Sequence, residues 1–285
     1  MTRQLFVVAD DFGIGPETSR GLIELGSEGL LTAAVALVNS PYIDGAIPAW
    51  KAAGKPLLLG WHPCLTMDGP VSPPESVPSL VDDRGRFWTL GDFLKRLLFG
   101  RIQPGDLERE LAAQYRRCVE LLGGPPSIVN GHHHIHAFGA VNRVLLKLLK
   151  DRMPKPFVRR VREPWRTIVR VKGVRAKRLF LSVTGRSSVH RQVAEGFPGA
   201  DWLLGITDPP FVGDPNFFAN WLKYAPGDAV ELMVHPGHFD GTLAGRDGEA
   251  GDGSAERRVR ELERLRDPNF RRAVAAAGFE IQRLG

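Results

Sequence analysis

Short apolar runs recur along the chain and alternate with stretches of helical spacing. The β-rich runs are LFVVA (5–9), AAVALV (33–38), PLLLGW (56–61), SIVNG (127–131), FVRRV (157–161), RLFLSV (178–183), DWLLGI (201–206) and VELMV (230–234). The clearest helix is 105–122, where Leu107, Leu111, Tyr115, Val119 and Leu122 recur at three- and four-residue steps and Gly123-Gly124 follows as a stop. Further helices are predicted over 16–28, 42–53, 89–98, 138–150, 215–223 and 255–276. This alternation predicts an α/β chain with a mainly parallel sheet covered by helices. About seven or eight strands favour a single-domain, irregular (β/α) barrel of the TIM-barrel type over a small open sheet. Ligands of such folds sit at the carboxyl ends of the strands, so the residues of a site should follow the apolar runs directly. Segments 66–88 and 236–254 are rich in Gly, Pro and Asp without an apolar period. They are predicted as long surface loops of the kind that border active sites.

Composition narrows this picture only slightly. The 285 residues can bury a large core, and 43% hydrophobic with 25% charged residues is ordinary for a soluble protein. No apolar run reaches the ~18 residues of a membrane span. The opening MTRQLFVVADD lacks the apolar core of a signal peptide, so a cytoplasmic location is expected. Cys64 and Cys118 fit a reducing compartment and lack the paired spacing of a thiolate zinc site.

Charge changes the picture more. The formal net charge is +6, yet residues 150–178 carry twelve Lys or Arg against Asp151 and Glu163, so the remainder sums to −4. One segment makes the chain basic, which argues against nucleic acid as its partner and singles that segment out. Its plain reading is a solvated helix or loop. Its sharper reading is a rim for an anionic or membrane-borne substrate, a membrane-surface contact with Trp165 as an aromatic anchor among cations. A homodimer is compatible with the sequence.

Three polar clusters sit at strand ends: Asp10-Asp11 after LFVVA, His62 after PLLLGW, and the run His132-His133-His134-Ile135-His136 after SIV. A fourth, His235-Pro236-Gly237-His238, follows VELMV. Each alone has a structural reading: an Asp helix cap, a satisfied core histidine. In an extended chain His132, His134 and His136 would share one face and His133 the other, so not all could bind one ion. Together, a carboxylate and imidazoles from separate strand ends form a ligand set for a divalent cation with positions left for water. The cation would acidify that water and the second carboxylate would take its proton. Spacing leaves open which aspartate does which.

The segments VVADDFGIGPETSRGLIELGSEGLLTAAVALVN, GWHPCLT, NGHHHIHAF and ELMVHPG together resemble the YdjC-like carbohydrate deacetylases, a family that includes chitooligosaccharide deacetylases and hopanoid-biosynthesis-associated relatives. The resemblance implies a (β/α)-barrel-like fold of the glycoside hydrolase/deacetylase type and metal-dependent removal of acetyl groups from an N-acetylated saccharide. It implies Asp10 as catalytic base and Asp11, His62 and His132 as ligands of one divalent ion, magnesium or zinc. It places His235 at the edge of the active site as a candidate acid for the leaving amine, and Arg159 near the substrate. His134 and His136 are expected to contact substrate. Asn130 and Pro63 depart from the family pattern, and 163–200 matches little of it. Two alternatives remain: a metal-dependent phosphoesterase or nuclease, and a catalytically idle metal- or sugar-binding protein.

Overall fold

The computed structural model describes residues 2–246 and 253–283. In chain order the elements are β1 (Arg3–Phe12), α1 (Pro16–Ser27), β2 (Ala33–Ala36), α2 (Ile43–Ala52), β3 (Leu58–Trp61), α3 (Leu90–Leu98), α4 (Pro104–Leu122), β4 (Ile128–Val129) and α5 (Gly139–Leu149). Then follow β5 (Phe157–Val158), α6 (Trp165–Arg170), α7 (Arg175–Ala194), β6 (Trp202–Leu204), α8 (Phe217–Tyr224), β7 (Ala229–Val234), α9 (Ser254–Arg266), α10 (Pro268–Ala276) and β8 (Phe279–Ile281).

Among the described residues the strands form one eight-stranded sheet, ordered β5-β4-β3-β2-β1-β7-β6, with β8 also paired to β1. Every ladder is parallel. β1 is buried from Leu5 to Phe12 because β2, β7 and β8 all pair with it, so its near-continuous apolar run is that of a central parallel strand. The sheet curls but does not close as the TIM-type expectation required. Its edges β5 and β6 have no ladder between them; Leu203 donates to the Arg162 carbonyl and Val158 to that of Pro198. Strands of two and three residues offer too few paired groups for closure.

Two local expectations fail. RLFLSV (178–183) is part of α7, not a strand. The residues α7 buries, Arg178, Leu181, Gly185, Ser188, Val189 and Gln192, recur at helical spacing, a period that the six-residue window was too short to reveal. The predicted helix 255–276 is two, because Asp267 is extended and caps α10, accepting from the Asn269 amide at 2.8 Å. Loop 66–88 touches the site at its start, where Thr66 meets His133, and then packs on α4, where Glu110 accepts from the amides of Val71 and Ser72, each at 2.9 Å. Part of loop 236–254, residues 247–252, lies outside the described residues.

Candidate metal centre

The β1–β2 register shifts between Ala9 and Phe12, a bulge that falls on Asp10 and Asp11. Asp11 adopts φ 67°, the left-handed region. A bulge breaks the up–down alternation of a strand, which is how adjacent aspartates both come to line one cavity. The histidine run is likewise not extended. Residues 132–137 form a compact kinked turn in which His133 and His134 take left-handed values, φ 52° and 56°, so the alternating-face expectation does not hold. The turn sends His132 toward Asp11 and His133 to Thr66, whose Oγ1 lies 2.9 Å from the ring Nδ1.

Asp11, His62 and His132 are all buried, and one donor atom from each lies within 4.8 Å of the others. Asp11 Oδ1 is 3.2 Å from His62 Nε2 and 3.1 Å from His132 Nδ1. Ligand atoms around an ion at about 2.1 Å are separated by about 3.0–3.4 Å, so the set fits a divalent cation. The tautomer of His62 agrees. Asn130 gives its amide N–H to Asp10 Oδ1 at 2.9 Å, because a carboxylate only accepts. Its carbonyl therefore faces His62 Nδ1, which must be the donor of that hydrogen bond. His62 Nε2 is left with a lone pair aimed at a carboxylate oxygen, an arrangement that calls for a cation between them. Arg258 completes the surroundings of Asp11, donating to Oδ2 at 2.7 Å. Burial opposes ionisation of Asp11, but the Arg258 charge outweighs it and holds the carboxyl well below its usual range.

A second network surrounds Asp10. Arg159 donates to Oδ2 at 2.6 Å and to Oδ1 at 2.8 Å, and its Nε binds Glu231 Oε1 at 2.6 Å. Burial alone would raise the Asp10 pKa, yet Arg159 keeps it below the ordinary carboxylate range. His235 Nε2 lies 3.9 Å from Asp10 Oδ2. Arg257 approaches His235 Nδ1 at 3.0 Å, and since a guanidinium only donates, Nδ1 accepts and Nε2 carries the proton. Burial, then the Arg257 charge, pushes the His235 pKa down to about 4. Glu261 accepts from Arg257 Nε at 2.8 Å and from the His235 amide at 2.5 Å, fixing both.

These groups open into a cavity of about 750 Å³ that also carries His133, His134, Lys177 and Phe180. A profile of the YdjC-like protein family matches residues 4–276. The chain belongs to the YdjC-like family. It is 31% identical to a chitooligosaccharide deacetylase of Proteus mirabilis over 99% of this chain and 97% of that one. It is 32% identical to a carbohydrate deacetylase of Brevibacillus brevis, over 92% and 90% of the two chains. Among solved structures, a protein of Enterococcus faecalis with a suggested role in cellobiose-phosphate cleavage shares the fold, with a TM-score of 0.77 at 23% identity over 99% and 98% of the chains.

In this YdjC-like chain, Asp10, Asp11, His62, His132, His134 and His235 all reach the cavity. Two expected substrate contacts do not. Arg159 is fully buried, and its guanidinium is spent on Asp10 and Glu231. His136 is fully buried too, with Nδ1 accepting from the Gly131 amide at 2.8 Å and Nε2 facing the Arg159 carbonyl at 3.2 Å. It supports the backbone that carries Arg159. Sequence reasoning missed Arg257, Arg258 and Glu261. They lie in SAERRVRELERLR, where mixed charge reads as a solvated helix face.

Proposed function

We propose that this chain is a metal-dependent carbohydrate N-deacetylase that hydrolyses the acetamide of an N-acetylated saccharide. The observation that carries the reading is the convergence of Asp11, His62 and His132 in one cavity beside a second, separately held carboxylate, Asp10. The names of the Proteus and Brevibacillus relatives supply the reaction class. Asp11, His62 and His132 would hold one divalent ion, magnesium or zinc, which when bound would acidify a water and polarise an acyl carbonyl.

The residues of the chain divide the remaining work. Asp10 Oδ1 already accepts from Arg159 and Asn130, whereas among the described residues Oδ2 accepts only from Arg159. The proton of the attacking water therefore goes to Oδ2, on the side of His235. Asp10 is a weak base in this network, which makes it a ready proton donor in turn. It passes the same proton to the departing amine, so amide and water become acetate and amine. His235, neutral with its N–H at Nε2, donates a hydrogen bond toward the reacting group rather than delivering a proton of its own. His134, whose buried Nδ1 has no hydrogen-bond partner among the described residues, accepts from a sugar hydroxyl.

The phosphoesterase alternative draws on Lys177 and Arg257, cations in the same cavity. The test is acetate release from N,N′-diacetylchitobiose by the ion-loaded protein, alongside phosphate release from phosphomonoesters and alcohol release from phosphodiesters. Acetate release without cleavage of either ester is expected; ester cleavage without acetate release would replace this reading with the alternative.

A further inference from the structure

Residues 164–194, which build α6 and α7, contain eight Lys or Arg and no Asp or Glu. One of these cations faces inward. Arg178 is fully buried, pairs with Glu163, and donates to the carbonyls of Val171 at 2.8 Å and Thr167 at 2.7 Å. It pins the elbow between the two helices, so what the elbow displays is held in place. Outward, Trp165, Val169, Leu179, Phe180 and Val183 are exposed, with Trp165 67% and Phe180 53% accessible. Arg166, Arg170, Lys172, Arg175 and Arg186 are exposed among them. Phe180 also lines the cavity, so this surface is continuous with the cavity mouth.

A second part of the cavity border repeats the pattern. α3 contributes Leu90 and Leu94 to the cavity, and the same helical stripe runs outward to Leu98, 81% exposed, followed by exposed Phe99. Lys95 and Arg101 flank these residues and are exposed. Large apolar side chains interleaved with cations are what an interfacial surface presents to lipid. The apolar groups enter the boundary between headgroups and acyl chains while the cations meet anionic headgroups. Isolated apolar residues on a surface need no explanation, but so many interleaved with cations on the helices that border one cavity do.

We infer that α6, the first half of α7 and the end of α3 dock this protein on an anionic lipid surface, with the cavity opening beside the bilayer. Charge selects this occupant. A second copy on the same face would bring like-charged residues together, and a nucleic acid would offer the apolar side chains nothing to enter. The inference does not depend on the deacetylase reading.

Flotation of the full chain with vesicles tests it, using phosphatidylcholine alone or mixed with phosphatidylglycerol. Binding is expected to the mixed vesicles at low salt, with a loss of about ten-fold or more in high salt or on phosphatidylcholine alone. Trp165→Ser with Val169→Ser, and separately Arg166→Glu with Arg170→Glu, should each weaken flotation about ten-fold. Neither pair touches the cavity, so circular dichroism and turnover of a soluble saccharide should be unchanged. No flotation on anionic vesicles at low salt would overturn the inference, as would flotation that both variants leave intact. Sedimentation showing a dimer that dissolves in the Trp165 variant, or tight binding to short nucleic acids without vesicle binding, would assign the face to those partners instead.

Discussion

Arg159 binds both oxygens of Asp10, Glu231 binds Arg159, and Asn130 ties Asp10 to His62. Two carboxylates share one buried guanidinium here, so its removal leaves both without their cation. Arg159→Met is expected to destabilise the fold by about 3–5 kcal/mol in chemical denaturation and to lower kcat by about 100-fold or more. Glu231→Gln, which keeps a hydrogen-bond acceptor, should do markedly less on both counts. Arg257 makes a separate prediction. Replacing it with Met removes the donor at His235 Nδ1 and a nearby positive charge, so the ring should titrate above about 4, followed by NMR of its ring protons. A His235 that titrates identically in both proteins would remove Arg257 as the cause. Asp10, Asp11, His62 and the histidine run from His132 were legible as a cluster because each lies at or just after the end of an apolar run, whereas the choice of His132 within the run and the roles of the two aspartates came from the family resemblance. Arg159 was legible as a residue but not as a partner, since nothing in FVRRV says that its guanidinium turns inward to an aspartate. Arg257, Arg258 and Glu261 were illegible because their roles come from packing α9 over the strand ends, a contact far apart in sequence.

At the scale of the element, the site depends on two departures from regular backbone: the bulge at the end of β1 and the left-handed turn through His133 and His134. Helical and strand periods describe regular segments, so neither departure could be read in advance, and the expected alternation of the histidines was wrong for that reason. The turn and the end of β7 also bury histidines in neutral form. His136 is pushed down to about 3, chiefly by burial and then by Arg159, and His235 down to about 4. An unfolded chain takes up protons on these rings below about pH 6.5, while the folded chain does not until much lower. Unfolding therefore absorbs protons across that window, and stability of the ion-free protein should fall as pH drops from about 6.5 toward about 4, by up to about 1.4 kcal/mol per pH unit for each ring. Denaturation midpoints across that range should slope downward before the carboxylates begin to titrate. His136→Gln, which can accept from Gly131 and donate to Arg159, should flatten the slope. The β6–β7 contact has its own requirement. Gly205 sits at φ 97°, and a Cβ there would lie 2.1 Å from the Met233 carbonyl oxygen, so Gly205→Ala should cost about 2–4 kcal/mol.

Across the whole molecule, a parallel sheet places the carboxyl ends of β1, β3, β4 and β7 around one cavity, and α9 closes over them from the far end of the chain. The strand–helix alternation foretold this arrangement, as did the rule that ligands gather at strand ends. It did not foretell that the sheet stays open, because closure depends on the ladder between β5 and β6, where single hydrogen bonds stand in for pairing. The account stands on one claim: Asp11, His62 and His132 hold the ion while Asp10 moves the proton. The direct measurement compares wild type with Asp10→Asn for bound ion per chain and for acetate released from N,N′-diacetylchitobiose. The account predicts that Asp10→Asn binds the ion as wild type does and releases acetate at least about 1,000-fold more slowly. Near-wild-type acetate release by an ion-loaded Asp10→Asn would contradict it.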